Sequence, residues 1–270
     1  MNEMGIAGWL FHRSILHDQT MKQLDMPGVC KSLGVDTIEL VSSFFPSQDT
    51  KYLNQLRAAL HEHGVRVRSI AVDMGDIANP DEAIRRTDIE GLKQWFYVAR
   101  AIGSEAIRVN SGAASPTDHV AIDRICDGYR ELAAEAAHTE IYLLIENHGG
   151  ASADPKNIQT FLDRVDSPWF RACPDTGNFI DGTWEEGMRI MAPRAYSCHV
   201  KVFSYSPDGV QSWAGRDGQP HSYNLKQSLQ ILKDAKYAGP LYIEAGASAT
   251  EEDSARDAIR YVRDLWATLR

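Results

Sequence analysis

Tyr142-Leu-Leu-Ile-Glu-Asn-His148 decides the reading of this chain: an apolar run of strand length ends abruptly on an acid, an amide and an imidazole. Strands of a parallel sheet covered on both faces read as such continuous apolar runs. The same event recurs downstream. Phe170-Arg-Ala-Cys-Pro-Asp175 closes on a carboxylate, Tyr196-Ser-Cys-His199 on an imidazole and Leu241-Tyr-Ile-Glu244 on a second glutamate. Charged groups at the ends of buried strands cost solvation free energy unless something of opposite charge binds them. Glu146, Asp175, His199 and Glu244 therefore read as donors converging on one divalent metal ion.

Outward from this stretch, strand-like and helix-like segments alternate along the whole chain. Strands are predicted at 5–11, 37–42, 65–72, 106–110, 141–146, 170–175, 196–202 and 241–245. Amphipathic stretches lie between and after them, at 21–33, 51–63, 81–101, 117–138, 155–165, 185–191, 225–235 and 251–269. In the fifth, Ile158, Phe161, Leu162 and Val165 share one helical face. Eight strand–helix pairs without a linker or a break in composition predict an α/β fold, a single (β/α)₈ TIM barrel over residues 1–270. An open doubly wound sheet competes, but Gly5-Ile-Ala-Gly8 is not the glycine-rich turn expected after its first strand. Segment 204–224 reads as one long irregular connection, and connections of that length are commonly functional.

Composition narrows the function. The 43% hydrophobic and 24% charged fractions are those of a globular protein, and a formal net charge of −9 argues against a nucleic-acid partner. Cys30, Cys126, Cys173 and Cys198 show no metal-binding or disulfide spacing and suit buried thiols in a reducing compartment. Residues 1–10 do not pattern as a signal peptide and no apolar run is long enough to span a membrane, so a cytoplasmic location is expected. A homo-oligomer is compatible with all of this.

In a (β/α)₈ barrel the catalytic groups gather at the C-terminal ends of the strands. The four strand-end donors would close strands five to eight and be neighbours on that rim. Three carboxylates and an imidazole make a mostly hard site, suited to Mn²⁺ foremost and also to Mg²⁺, Co²⁺ or Zn²⁺. Each alone also reads as an ion-pair partner or a helix cap. His148 falls in the loop, where it either contacts substrate or merely helps end the strand. Lys201 shares the strand parity of His199 and reads as a substrate contact or a solvated lysine. Glu39, an acid inside Thr37-Ile-Glu-Leu-Val41, is expected to pair with Arg108 as a structural element. Asn110 is a candidate for a hydroxyl contact, and His12 with Trp9 for an aromatic wall, although Trp9 also reads as core. Trp213 and His221 are expected either to fold over the rim as a lid or to cover an interface.

Leu143-Leu-Ile-Glu-Asn-His148, Pro174-Asp-Thr-Gly-Asn178, His199-Val-Lys201 and Tyr242-Ile-Glu244 together resemble the sugar phosphate isomerase/epimerase family, whose members have a xylose isomerase-like barrel. Ketose 3-epimerases, hydroxypyruvate isomerase and inosose dehydratase belong to that group. The resemblance implies that Glu146, Asp175, His199 and Glu244 bind the metal and that Glu146 and Glu244 form the acid/base pair. Asn178 stands where epimerase-like relatives carry a substrate-contacting histidine, and Tyr205 where they carry an arginine. These departures imply a small-molecule sugar or polyol substrate that differs from a simple ketohexose. Epimerisation, isomerisation and loss of a β-hydroxyl would all start from the same enediolate, so an inosose dehydratase-like or keto-glycoside lyase on the same metal site is the alternative enzyme. The competing readings are a non-catalytic barrel binding sugar and metal, and a nuclease of related fold. The latter would need more clustered ligands and a basic surface.

Overall fold

The structure is a computed structural model that describes residues 2–214 and 220–270. Among the described residues there are ten strands: β1 (Met4–Ala7), β2 (Thr37–Val41), β3 (Arg66–Val72), β4 (Ala106–Val109), β5 (Tyr142–Glu146), β6 (Phe170–Cys173), β7 (Cys198–Val202), β8 (Val210–Ala214), β9 (Pro220–Asn224) and β10 (Leu241–Ala245). Eight of them form one curled parallel sheet in the order β6-β5-β4-β3-β2-β1-β10-β7. Its two outer strands, β6 and β7, meet through two isolated parallel bridges, Ala172 with Ala195 and Asp175 with His199. Pro174 explains the sparse seam. It has no N–H to give, so β6 stops at Cys173, short of the predicted 175. The chain resumes pairing one residue later, where the His199 amide donates to the Pro174 carbonyl at 2.9 Å.

Helices α1 (Met26–Ser32), α2 (Thr50–His63), α3 (Glu82–Ile102), α4 (His119–Thr139), α5 (Pro155–Val165), α6 (Trp184–Met191), α7 (Leu225–Asp234) and α8 (Glu251–Ala267) alternate with the strands of the large sheet. Their starts are written in the sequence: Asp49, Asp81, Asp118, Asp154, Asn224 and Thr250 each accept a backbone N–H in the first turn. The predicted first strand is shorter than expected. β1 ends at Ala7 and the chain turns into a short 3₁₀ helix, Gly8–Phe11. A Cβ on Gly8 would stand 2.6 Å from the Glu39 carbonyl, so only glycine admits this close turn against β2.

Alternate strand positions serve two apolar clusters. The larger joins residues such as Ile38, Leu40, Ile107, Leu143 and Ile145 to the helices. The smaller, Ala106, Leu144 and Cys173 with Tyr142 and Tyr196, occupies the other face of the strands. Arg108 and Glu146 share strand parity with Ala106 and Leu144, which places them on that same inner face, nearer the C-terminal ends.

The predicted irregular connection 204–224 contains a β-hairpin, β8 against β9, with Trp213 opposite His221. Buried Gln211 ties it to the end of β7. Its Oε1 accepts from the Phe203 and Ser204 amides, and its Nε2 donates to the Ser204 carbonyl. Residues 215–219 of the expected lid lie outside the described residues. Among the described residues no helix is long and apolar enough to cross a membrane.

Candidate metal centre

The strand ends bring Glu146, Asp175 and His199 together, with donor atoms all within 4.8 Å of one another and all three residues buried. Glu244 stands beside them, its Oε2 3.9 Å from His199 Nδ1. Among the described residues this is the one such grouping of potential metal ligands.

Orientation of His199 comes from a residue whose partner was misassigned from sequence. Glu39 does not pair with Arg108. Its Oε2 lies 2.7 Å from His199 Nε2, and its Oε1 accepts from the Ser69 hydroxyl at 2.8 Å. A carboxylate can only accept, so Nε2 carries the proton and Nδ1 is turned toward Glu146 Oε1, 3.2 Å away. Two lone-pair-bearing atoms at that separation repel unless a proton or a cation mediates. Burial disfavours the imidazolium, yet Cys173, Glu39 and Glu146 outweigh it and hold His199 well above the usual histidine range. A divalent ion on Nδ1 would replace that proton, with Glu39 as the outer carboxylate of a carboxylate–histidine–metal arrangement.

Arg108 instead lies between Asp73 and Glu146. Nη1 donates to Asp73 Oδ1 at 2.6 Å and to Asn110 Oδ1 at 2.7 Å, and Nε faces Glu146 Oε2 at 3.0 Å as an ion pair without hydrogen-bond geometry. The sheet explains this: Arg108 is in register with Leu144 on the neighbouring β5, two residues before Glu146, whereas β3 separates it from Glu39. Burial works to raise Glu146, but Arg108 and His199 outweigh it and keep its carboxyl well below the usual range.

Lys201 spans the other side of the cluster, with Nζ 3.1 Å from Asp175 Oδ2 and 2.8 Å from Glu244 Oε1. Burial would raise Glu244 too, and Lys201 and His199 bring it below its ordinary value. Asp175 goes the other way. It is fully buried, and burial together with Glu146 and Glu244 pushes it up to about 7 despite Lys201.

These residues fit a divalent cation. Glu39, Asp73, Glu146, Asp175 and Glu244 are five carboxylates facing two permanent cations, Arg108 and Lys201. Asp175 Oδ2 and Glu146 Oε2 are buried without a hydrogen bond of good geometry, each met by a single ion-pair charge, Lys201 and Arg108. Such acceptors are costly unless charge or coordination satisfies them.

A cavity of about 370 Å³ opens onto the cluster, lined by Trp9, Asn110, Glu146, His148, His199, Lys201 and Glu244 from the sequence-predicted set. Glu39, Asp73 and Arg108 complete its polar wall. Asp175 lies behind the lining. Asn178 donates from Nδ2 to Glu146 Oε1 at 3.1 Å, so it braces that glutamate. His12 lines an adjoining cavity and stacks on Trp9 with ring centroids 4.9 Å apart. Trp213 is packed outside the metal-facing cavity, stacked on Phe203 at 4.4 Å and on His221 at 5.4 Å. Tyr205 bonds Ser248 at 2.8 Å. A larger groove of about 740 Å³ on the helical exterior is open and bordered by paired surface charges such as Glu185–Arg189. It holds none of this chemistry.

Asp73 was missed in the sequence, although it closes the apolar run Ile70-Ala-Val72 much as Glu244 closes its own. The only signal was its position at a strand end.

The profile of the xylose isomerase-like TIM barrel family matches residues 28–265. No curated protein matches the chain. Among solved structures, an L-ribulose 3-epimerase superposes with a TM-score of 0.77 at 17% identity, covering 99% of this chain and 95% of that one. A D-psicose 3-epimerase from Clostridium cellulolyticum H10, solved with D-tagatose, gives 0.75 at 16% identity, covering 98% and 99%. A xylose isomerase-like TIM barrel protein from Mycobacterium smegmatis in complex with magnesium gives 0.70 at 17% identity, covering 92% and 89%. At these identities the likeness establishes the fold.

Proposed function

The chain belongs to the xylose isomerase-like TIM barrel family, and on that premise we propose that it is a divalent-metal-dependent isomerase or epimerase of keto-sugars or polyol-derived ketones. The observation carrying this reading is the buried Glu146–Asp175–His199 group, with Glu244 beside it, at the floor of a polar cavity. Glu146, Asp175, His199 and Glu244 would hold the ion, Mn²⁺ foremost. Bound there, the ion would polarise a substrate carbonyl and its neighbouring hydroxyl and so acidify the adjacent C–H.

The chain's own residues supply the proton transfers. Glu146 rises from β5 and Glu244 from β10, and both carboxylates line the same cavity from separate strand ends. Arg108 and Lys201 keep both ionised at neutral pH, the state a general base requires. Removal by one and return by the other inverts a carbon; return to the neighbouring carbon moves the carbonyl. His148, Asn110 and Lys201 would hold substrate hydroxyls, with Trp9 and His12 forming an aromatic side. Asn178, an amide braced on Glu146, cannot become cationic as a histidine can, which favours a neutral substrate over a phosphorylated one. The D-tagatose and magnesium of the structural neighbours are in keeping with this class.

The test is solvent-deuterium incorporation into a panel of ketoses, keto-inositols and 3-keto-glycosides, followed by proton NMR with the ion supplied and then chelated. Metal-dependent loss of one C–H signal next to a carbonyl is expected. No exchange in any member with one ion bound per chain would overturn the assignment.

A further inference from the structure

The metal-facing cavity does not end at Glu244. A second cavity of about 210 Å³ shares Trp9, Lys201 and Glu244 with it. The shared polar groups lie at the junction, and beyond them the walls are apolar, chiefly Leu10, Phe203 and Ala245.

Two aromatic rings define this annex, and both are braced. Trp9 is 40% exposed, yet its ring lies nearly parallel to His12, at an interplanar angle of 8°, and to Phe44, at 10°. Phe203 is stacked on Trp213, which is stacked on His221. Rings already held in place lose little freedom when a ligand covers them. They form a preorganised apolar surface one step from the reacting groups. A free ketose is hydroxylated on nearly every carbon. Its hydroxyls find partners in the first cavity, so covering the second as well falls to a group attached to it.

We propose that the annex is a subsite for a second ring attached to the reacting sugar, so that the preferred substrate is a glycoside rather than a free monosaccharide. The shared chemistry is a ring with an apolar face, offered either by another sugar or by a flat aglycone. A further cavity of about 460 Å³, reached past Leu10, His12 and Gly246 and bordered by Ser14, Ser248 and Thr250, gives the appended group a polar outlet. This inference rests on the keto-sugar reading above and specifies its substrate class.

Its size can be set from Trp9. A tryptophan presents up to about 250 Å², so the exposed part is about 100 Å². Covering half of that is worth about tenfold in affinity at about 25 cal/mol per Å².

The experiment compares binding to the metal-loaded protein within two probe pairs, D-fructose against lactulose and D-glucose against phenyl β-D-glucoside, by saturation-transfer NMR and titration. At least one ringed probe is expected to bind about tenfold tighter than its parent, with saturation strongest on the appended ring. An advantage for lactulose alone identifies a sugar ring, and for the phenyl glucoside alone an aglycone. Trp9→Ala and Phe203→Ala should each shrink the ratio toward one, and Trp9→Phe should retain part of it. A misfolded variant would lower both members of a pair, so the ratio itself carries the result. Equal affinities within both pairs, or an advantage that survives Trp9→Ala and Phe203→Ala, would overturn the subsite and leave the keto-sugar reading standing. Failure of all four probes to bind with the ion in place would count against both.

Discussion

Replacing Arg108 by Met should destabilise the metal-free protein severely and make it depend on the ion. Arg108 and Glu146 are buried together, their side chains 5% and 1% exposed, and face each other at 3.0 Å. Methionine fills similar volume but leaves Glu146 without its principal counter-charge. Removing one partner of a buried pair costs about 3–5 kcal/mol. Asp73 adds less, because it is part exposed and keeps a bond from Asn110 Nδ2 at 3.2 Å. For a chain of this size that loss lowers Tm by about 5–9 °C. A bound ion next to Glu146 would restore part of the missing positive charge, so metal should stabilise Arg108→Met more than it stabilises the wild type. The assay is reversible denaturant unfolding of both proteins, chelated and metal-loaded, together with Glu146→Gln and the double variant. Because Glu146→Gln removes the orphaned charge, the double variant should be less destabilised than the two single changes added together, by about 1–3 kcal/mol. A loss below about 1 kcal/mol in Arg108→Met, or strict additivity in the cycle, would refute the claim that Arg108 is the counter-ion of Glu146.

Other perturbations read the same network. Glu146→Gln and Glu244→Gln should each cut turnover by at least ~10²-fold with the ion still bound, since an amide cannot accept the proton; near-normal turnover would remove that glutamate from the acid/base pair. Lys201→Met should tighten divalent-ion binding by at least about tenfold, because its ammonium competes for Asp175 and Glu244; unchanged or weaker ion affinity would show that it does not compete. Metal affinity should rise by about a hundredfold per pH unit below about 7, where Asp175 and His199 both give up protons, and by about tenfold per unit above it while His199 alone does so. The sign follows from Asp175, whose carboxyl is pushed up to about 7, so below that pH the ion must displace its proton. Calorimetry in buffers of different ionisation enthalpy checks this, and no proton release at pH 6 would contradict it.

Much of this centre was legible because it breaks patterns that physics otherwise enforces. An acid or imidazole closing an apolar strand is conspicuous, and so Glu146, Asp175, His199 and Glu244 could be picked out one by one. Partnerships were not legible. Glu39 and Arg108 look like a pair along the sequence, but register places Arg108 beside Glu146 and leaves Glu39 behind His199. The β8–β9 hairpin escaped because its strands, Val-Gln-Ser-Trp-Ala and Pro-His-Ser-Tyr-Asn, are short and do not alternate polar with apolar residues. What holds it is a side chain, Gln211, capping backbone amides, and that leaves no periodic trace. Gly8 and Pro174 set strand ends through a close approach and a missing donor, effects that depend on the neighbouring strand.

Metal content decides the account most directly. Elemental analysis of the purified wild type beside Asp175→Ala, each equilibrated with a small excess of Mn²⁺ and then desalted, should show about one ion per chain in the wild type. The variant should hold almost none, because it loses the fully buried carboxylate that most lacks compensation. A wild type that retains no ion, or an Asp175→Ala protein that retains as much as the wild type, would contradict it.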